Sequence, residues 1–122
     1  MGMQTKATHY RWADVEQDHP IERIARQRIV GERVMLSRFE LQRGCHVATH
    51  RHENEQIACV LSGKLRFGIG PDDSAERYEL TLGAGEVLHF PSNVPHSADA
   101  LEDSVVLDIF SPPASATGVD RR

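Results

Sequence analysis

Short apolar runs alternate with polar residues along most of this chain, and turn-forming residues interrupt them at close intervals. From Gly44 onward this pattern predicts strands over residues 46–50, 56–61, 64–69, 77–81, 86–90, 95–100 and 104–110. Gly, Pro, Asn or Asp stands between these strands, where turns need special dihedral angles. No segment sustains an apolar period of 3.6 residues. The sequence therefore predicts an all-β fold built as a closed barrel or a sandwich.

The two ends of the chain are less regular than its centre. Residues 9–12 are predicted as a short strand within a polar arm, and residues 21–30 as a strand with Ile24, Arg26, Arg28 and Val30 on one face. Two arginines on that face weaken a core assignment, so an edge strand or a subunit contact is an equal alternative. We predict an N-terminal arm with edge strands over 1–30, a barrel over 31–111, with Met35, Phe39 and Leu41 sharing one face, and a flexible, proline-rich tail over 112–122.

Length and charge limit the class of partner. A chain of 122 residues is expected to form one domain and to bury roughly two-thirds of its unfolded surface. The formal net charge is −4, and neither sign forms long blocks. This distribution argues against nucleic acid and against membrane surfaces as partners. We expect a small-molecule substrate.

Two cysteines and an N-terminus without an apolar segment are typical of a cytoplasmic protein. The open edges of such a barrel need to be covered. Exchange of the N-terminal strands between two copies would cover them, so we predict a homodimer.

Two glycine-bounded stretches carry the candidate chemistry. The first, residues 44–63, contains His50, His52 and Gln56, and the second, residues 85–96, ends in His96 after a turn with two prolines. Alternate side chains of a strand share a face, so His50 and His52 point the same way, and Gln56 joins them if the intervening turn preserves parity. His96 would close the site from another strand. We predict that these four residues hold one divalent metal ion.

Some alternatives remain open at this stage. Glu53 or Glu55 can replace Gln56 as the oxygen ligand if the turn changes the parity. His46 shares the parity of His50 and can line the same cavity. The remaining histidines, His9, His19 and His89, are more typical of surface positions.

The ligand types do not select one metal, because imidazole and carboxamide donors together suit Zn, Mn, Fe or Ni. All four predicted ligands are neutral, so the full divalent charge would remain to polarise a bound oxygen.

The two stretches resemble the two characteristic motifs of the cupin superfamily. Gly44, His50, His52, Gln56 and Gly63 match the first motif, and Gly85, Pro91 and His96 match the second. Two residues depart from the common pattern: Gln56 replaces Glu, and Asn93 replaces a turn glycine. The resemblance implies a double-stranded β-helix, a jelly-roll-like barrel with the metal near its centre.

Within that superfamily, the chain resembles the small single-domain cupins of the pectin-degradation protein KdgF type. This resemblance implies a His, His, Gln, His metal set and activity on unsaturated uronates through ring opening or tautomerisation. It also implies that Asp108 moves a proton and that Phe110 shapes the sugar site. In that type an Arg often follows Ser-Pro-Pro, and Ala114 stands at this position here. From the sequence alone, Asp108 can equally be a solvated residue that points outward between Leu107 and Ile109. An Fe- or Ni-dependent dioxygenase and a non-catalytic binding or sensing module are the alternative functions.

Overall fold

The structure, a computed structural model, describes residues 6–120. Ten antiparallel strands in two sheets account for about half of these residues. A short 3-10 helix, Trp12–Asp14, precedes them. The strands are β1 Gln17–Asp18, β2 Ile24–Val30, β3 Met35–Leu41, β4 His46–His50, β5 Glu55–Ser62, β6 Lys64–Ile69, β7 Tyr78–Gly83, β8 Val87–Phe90, β9 His96–Ala100 and β10 Ser104–Ser111. The six-stranded sheet has the order β1-β2-β3-β10-β5-β8, and the four-stranded sheet has the order β4-β9-β6-β7. This is the predicted all-β architecture, a double-stranded β-helix.

Every strand predicted after Gly44 is present, with ends that differ by one or two residues at most. The prediction of a strand over residues 9–12 is wrong, because the 3-10 helix begins at Trp12 and no strand covers that range. The predicted strand over 21–30 begins only at Ile24. Turn residues fit the expected chemistry: Asn93, in the place of a turn glycine, adopts a positive φ of 65°.

The core lies between the inner faces of the two sheets. Met35, Phe39 and Leu41 share the inner face of β3 as predicted, and each is at most 5% exposed. Phe67 and Phe90 meet edge to face from opposite sheets, with ring centroids 5.6 Å apart. The inner face of the six-stranded sheet carries odd-numbered residues on β3 and even-numbered residues on β5 and β10. This parity decides which side chains reach the interior.

Arg26 carries a charge, yet its side chain lies among the core residues and is only 3% exposed. Its Nε and Nη2 donate to the carboxylate of Asp18, at 3.0 and 2.6 Å, and its Nη1 donates to Asp120 at 2.8 Å. The hydrogen bond with Arg26 holds the pKa of Asp18 below its usual value. Burial alone would raise the pKa of Asp120, but its hydrogen bonds with Arg26 and with the Thr117 backbone outweigh burial and lower it. The buried Arg26 cation is therefore paired with two carboxylates, which compensate for its loss of solvation.

The segment after β10 also contacts the barrel. Thr117 and Gly118 are buried, and Val119 packs against the core. These contacts differ from the free tail that the proline-rich sequence predicts for residues 112–122. The division into arm, barrel and tail stays a prediction, and residues 1–5 and 121–122 lie outside the described part. No helix within the described residues is long and apolar enough to cross a bilayer.

Two glycines test how the turns constrain the fold. Gly63 has a φ of 86°, and a Cβ placed there would lie 2.4 Å from the backbone oxygen of Asp103. Gly85 has a nearly identical φ of 85°, but a Cβ there would meet nothing within 4 Å.

We expect Gly85→Ala to lower the free energy of unfolding by about 1 kcal/mol, the cost of the left-handed conformation alone. Gly63→Ala should cost clearly more, because the β5–β6 turn must also move away from Asp103. Urea unfolding of both variants measures the difference, and equal losses would contradict this account.

Candidate metal centre

Three histidines converge on the inner side of the barrel. His50 ends β4, His52 follows it in the next loop, and His96 begins β9. One ring nitrogen of each lies within 4.8 Å of the others. His50 and His96 have ring centroids 4.4 Å apart, and His52 and His96 5.2 Å apart. The three rings therefore surround a common point and could hold a metal ion.

An irregular register between β4 and β9 creates this convergence. His46 pairs with Asp99 and Val47 with Ala98, but His50 pairs with His96. Three residue steps on β4 thus match two on β9, as in a β-bulge. The extra residue changes which parity faces inward, so Val47 and His50 both point into the barrel.

The same irregularity turns His46 outward. Its side chain is 61% exposed, and its Nδ1 lies 2.7 Å from Asp99 on the outer surface. The hypothesis that His46 lines the cavity with His50 is therefore wrong. That hypothesis assumed that side chains alternate regularly along β4, and the bulge interrupts this alternation.

Backbone carbonyls fix the tautomers of the three rings. Nδ1 of His50, His52 and His96 lies 2.8, 3.0 and 2.9 Å from the carbonyl oxygens of Ala48, Asn54 and Val94, respectively. A carbonyl only accepts, so each Nδ1 donates and each neutral ring keeps its lone pair on Nε2. This is the usual orientation of metal-binding histidines, whose second ring nitrogen donates to a carbonyl or a carboxylate.

Gln56 adds an oxygen to the cluster. Its side chain is 6% exposed, and its Oε1 lies 3.1 Å from Nε2 of His52. With Nδ1 protonated, both of these atoms are acceptors, so a cation between them would explain their approach. Glu53 and Glu55 point to solvent, and Glu55 contacts His89 on the outside. The turn preserves the parity that places Gln56 inside.

The fit to a metal ion is strongest at His96. Its Nε2 is buried and has no hydrogen-bond partner. Burial, with the nearby His50 and His52, lowers the pKa of His96 to about 4 despite the opposing bond to Val94, so the ring stays neutral at physiological pH. An unpartnered buried nitrogen costs about 1–3 kcal/mol, and a bound cation would remove that cost. The residues present therefore fit a divalent ion.

Asp108 and Phe110 lie beside this cluster on β10. Phe110 pairs with Gln56 across the sheet, and its ring lies 5.7 Å from that of His52. Asp108 faces the interior, only 9% exposed, so the alternative of a solvated outward residue is wrong. Burial raises the pKa of Asp108 to about 7, although a hydrogen bond with Gln56 opposes the increase. The Oδ1 atom of Asp108 has no hydrogen-bond partner.

A small cavity connects these groups. Its volume is about 50 Å³, and its walls include His50, Gln56, His96, Asp108 and Phe110. Thr117 and Val119 of the C-terminal segment complete the wall. Sequence reasoning missed these two residues, because a short segment of small residues has no periodicity that would indicate its position.

A family model described as a cupin domain matches residues 37–110. No curated protein sequence matches the chain. Among solved structures, an RmlC-like cupin from Shewanella frigidimarina superposes with a TM-score of 0.79 at 20% identity, over 93% of this chain and 97% of that one. KdgF from Halomonas sp. superposes with a TM-score of 0.80 at 24% identity, over 90% of this chain and 97% of that one.

A third similar structure, the oxalate decarboxylase of Lactobacillus farciminis, is much longer. It superposes with a TM-score of 0.77 at 17% identity, over 93% of this chain but only 36% of that one. Identities at this level show a common fold and no common reaction. The family match covers more than half of the chain and includes both histidine stretches. The chain therefore belongs to the cupin domain family.

Proposed function

We propose that this cupin is a metal-dependent, non-redox enzyme that opens or tautomerises a small, sugar-derived, uronate-like substrate. The observation that carries the proposal is Asp108, a buried carboxyl group whose Oδ1 has no partner and which lines the same cavity as His50, Gln56 and His96. A structural carboxylate would normally have its hydrogen bonds satisfied. An unsatisfied carboxyl oxygen that lines the cavity of a candidate metal centre is instead available to a substrate proton.

His50, His52, Gln56 and His96 would hold the divalent ion, which we propose to be Zn, Mn, Fe or Ni. When bound, such an ion acts as a Lewis acid toward a substrate oxygen. The protein's own contribution is to keep the four donors neutral and oriented. The carbonyls of Ala48, Asn54 and Val94 do this for the three rings.

Asp108 would transfer the proton that tautomerisation requires. In the conversion of an enol to a ketone, the hydroxyl oxygen loses a proton and a neighbouring carbon gains one, so no oxidant or reductant is needed. A single carboxyl group can accept the first proton and deliver it to the carbon. Phe110, next to His52, would form a flat apolar wall that orients the sugar ring.

The resemblance to KdgF-type cupins supports this substrate class, and the Halomonas KdgF structure supports the shared fold. Two other functions would give different results. A dioxygenase would consume oxygen only when its substrate is present. A sensing module would bind a uronate without converting it.

We also propose that the protein is a homodimer. β2 pairs with β3 of the same chain, so strand exchange is not needed to complete the sheet. The outer face of the six-stranded sheet is instead unusually apolar for a surface. It carries Leu36, Ile57, Cys59, Leu61, Val87, Leu107 and Ile109. Contact between two such faces would remove this surface from water.

The first prediction concerns metal content. We expect protein purified without added metal to contain about one divalent ion per chain, and His50→Ala to lose most of it, because one of four ligands is gone. Elemental analysis by inductively coupled plasma mass spectrometry measures this. His46→Ala is the matched control on the same strand and should retain the metal. Equal metal loss in both variants would contradict the assigned centre.

The second prediction concerns the proton transfer. We expect Asp108→Asn to lower the rate on a 4,5-unsaturated galacturonate at least 100-fold, because the amide cannot accept the proton. Metal content should not change. The rate is followed by NMR as the unsaturated sugar disappears, with Asp99→Asn as a surface carboxylate control. A wild-type, metal-loaded protein that leaves this sugar unchanged would remove the proposed reaction.

The third prediction concerns assembly. Ile109 lies between Leu36 and Ile57 at the centre of the apolar outer face. We expect light scattering after size exclusion to give twice the chain mass for the wild type and the single-chain mass for Ile109→Glu. Tyr78→Glu, on the exposed surface of the other sheet, should remain dimeric. A monomeric wild type would contradict the proposed interface.

A further inference from the structure

Residues 117–120 lie directly over the candidate metal centre. Gly118 packs so closely on the ring of His50 that a Cβ at this position would lie 2.0 Å from Cδ2 of that ring. Thr117 and Val119, on either side, line the cavity. The C-terminal segment is therefore part of the wall that separates the site from solvent.

The cavity is too small for a sugar. A volume of about 50 Å³ has room for a few water molecules, whereas small-molecule pockets typically measure roughly 300 Å³ or more. Strands form the other walls, and their backbone hydrogen bonds resist displacement. Residues 117–120 belong to no strand and thus are the part that can move most easily.

One of the contacts that fix this segment is ionic. The Oδ2 atom of Asp120 accepts a hydrogen bond from Nη1 of Arg26 at 2.8 Å. Asp18 occupies Nε and Nη2 of the same guanidinium, so it keeps Arg26 oriented whether or not Asp120 is present. The Nη1 atom would be left without that carboxylate if the segment moved.

Arg26 neighbours two residues that line the cavity. Ile24, two residues earlier on the same face of β2, lines it, and so does Phe39, which pairs with Arg26 across the sheet. A displacement of residues 117–120 would thus enlarge the cavity and expose a nearby cation in a single movement. Another carboxylate could then replace that of Asp120 with the same hydrogen-bond geometry.

We propose that Arg26 binds the carboxylate of the substrate, and that Asp120 occupies this position as an internal substitute while residues 117–120 cover the site. The choice of a uronate as the substrate rests on the function proposed above. The assignment itself rests on the cavity and on the Arg26 ion pairs. Asp120 then acts as an intramolecular competitor, so its removal should strengthen binding of an acidic sugar.

Isothermal titration calorimetry with two probes tests this inference. D-galacturonate carries the carboxylate, and its methyl ester has the same ring without the charge. We expect Asp120→Asn to bind D-galacturonate about tenfold more tightly than the wild type, with a much smaller change for the methyl ester. Asp120→Glu keeps the competing carboxylate and should resemble the wild type. Asp18→Asn removes the other partner of Arg26 without releasing the segment, and it should not show the gain.

A second variant assigns the gain to Arg26. Arg26→Gln in the Asp120→Asn background should lose the tenfold gain for D-galacturonate and bind both probes alike. If this double variant does not fold, the comparison of Asp120→Asn with Asp120→Glu still decides. Unchanged D-galacturonate binding in Asp120→Asn, or an equal gain for the methyl ester, would overturn the inference.

These results are separable from those for the proposed reaction. Tighter D-galacturonate binding by Asp120→Asn, combined with no conversion of unsaturated uronates by the wild type, would refute the reaction and support Arg26. Conversion by the wild type without the binding gain would refute Arg26 alone.

Discussion

The candidate site depends on one pairing between strands, that of His50 on β4 with His96 on β9. These residues are far apart in the sequence, and the register of the four-stranded sheet alone brings their rings together. The extra residue on β4 just before His50 sets that register. With Val47 inside, a regular ladder would have turned His50 outward together with His46, because the two residues have the same parity. The geometry of the candidate metal centre therefore depends on a local irregularity in the four-stranded sheet.

Much of the fold could be predicted from the sequence, because alternation and turn residues are local signals. The strands after Gly44 and the inward face of β3 followed from them. Gln56 also followed, since the loop after His52 happens to preserve parity. The outward position of His46 could not be predicted, because the alternation of residues in β4 gives no sign of a bulge. The 3-10 helix at Trp12 was missed for a similar reason, since three residues are too few to show a period.

The features around the candidate site that the sequence did not predict come from long-range contacts. Arg26 looked like an edge or contact residue, because two basic side chains on one face are unusual in a core. Its burial is explained by Asp18 and Asp120, and Asp120 lies 94 residues away in the chain. Nothing in the sequence around Arg26 indicates that partner. Thr117 and Val119 likewise reach the cavity through contacts with residues that are distant in the sequence.

The position of β10 has a consequence for how the protein is made. This strand lies between β3 and β5 in the six-stranded sheet, yet it is the last strand of the described chain. During synthesis, β3 and β5 cannot be joined until β10 has left the ribosome, so the facing edges of these two strands stay unpaired until then. Such edges invite pairing with other chains. When β10 is added between them, it pairs both edges at once and brings Asp108 and Phe110 beside Gln56.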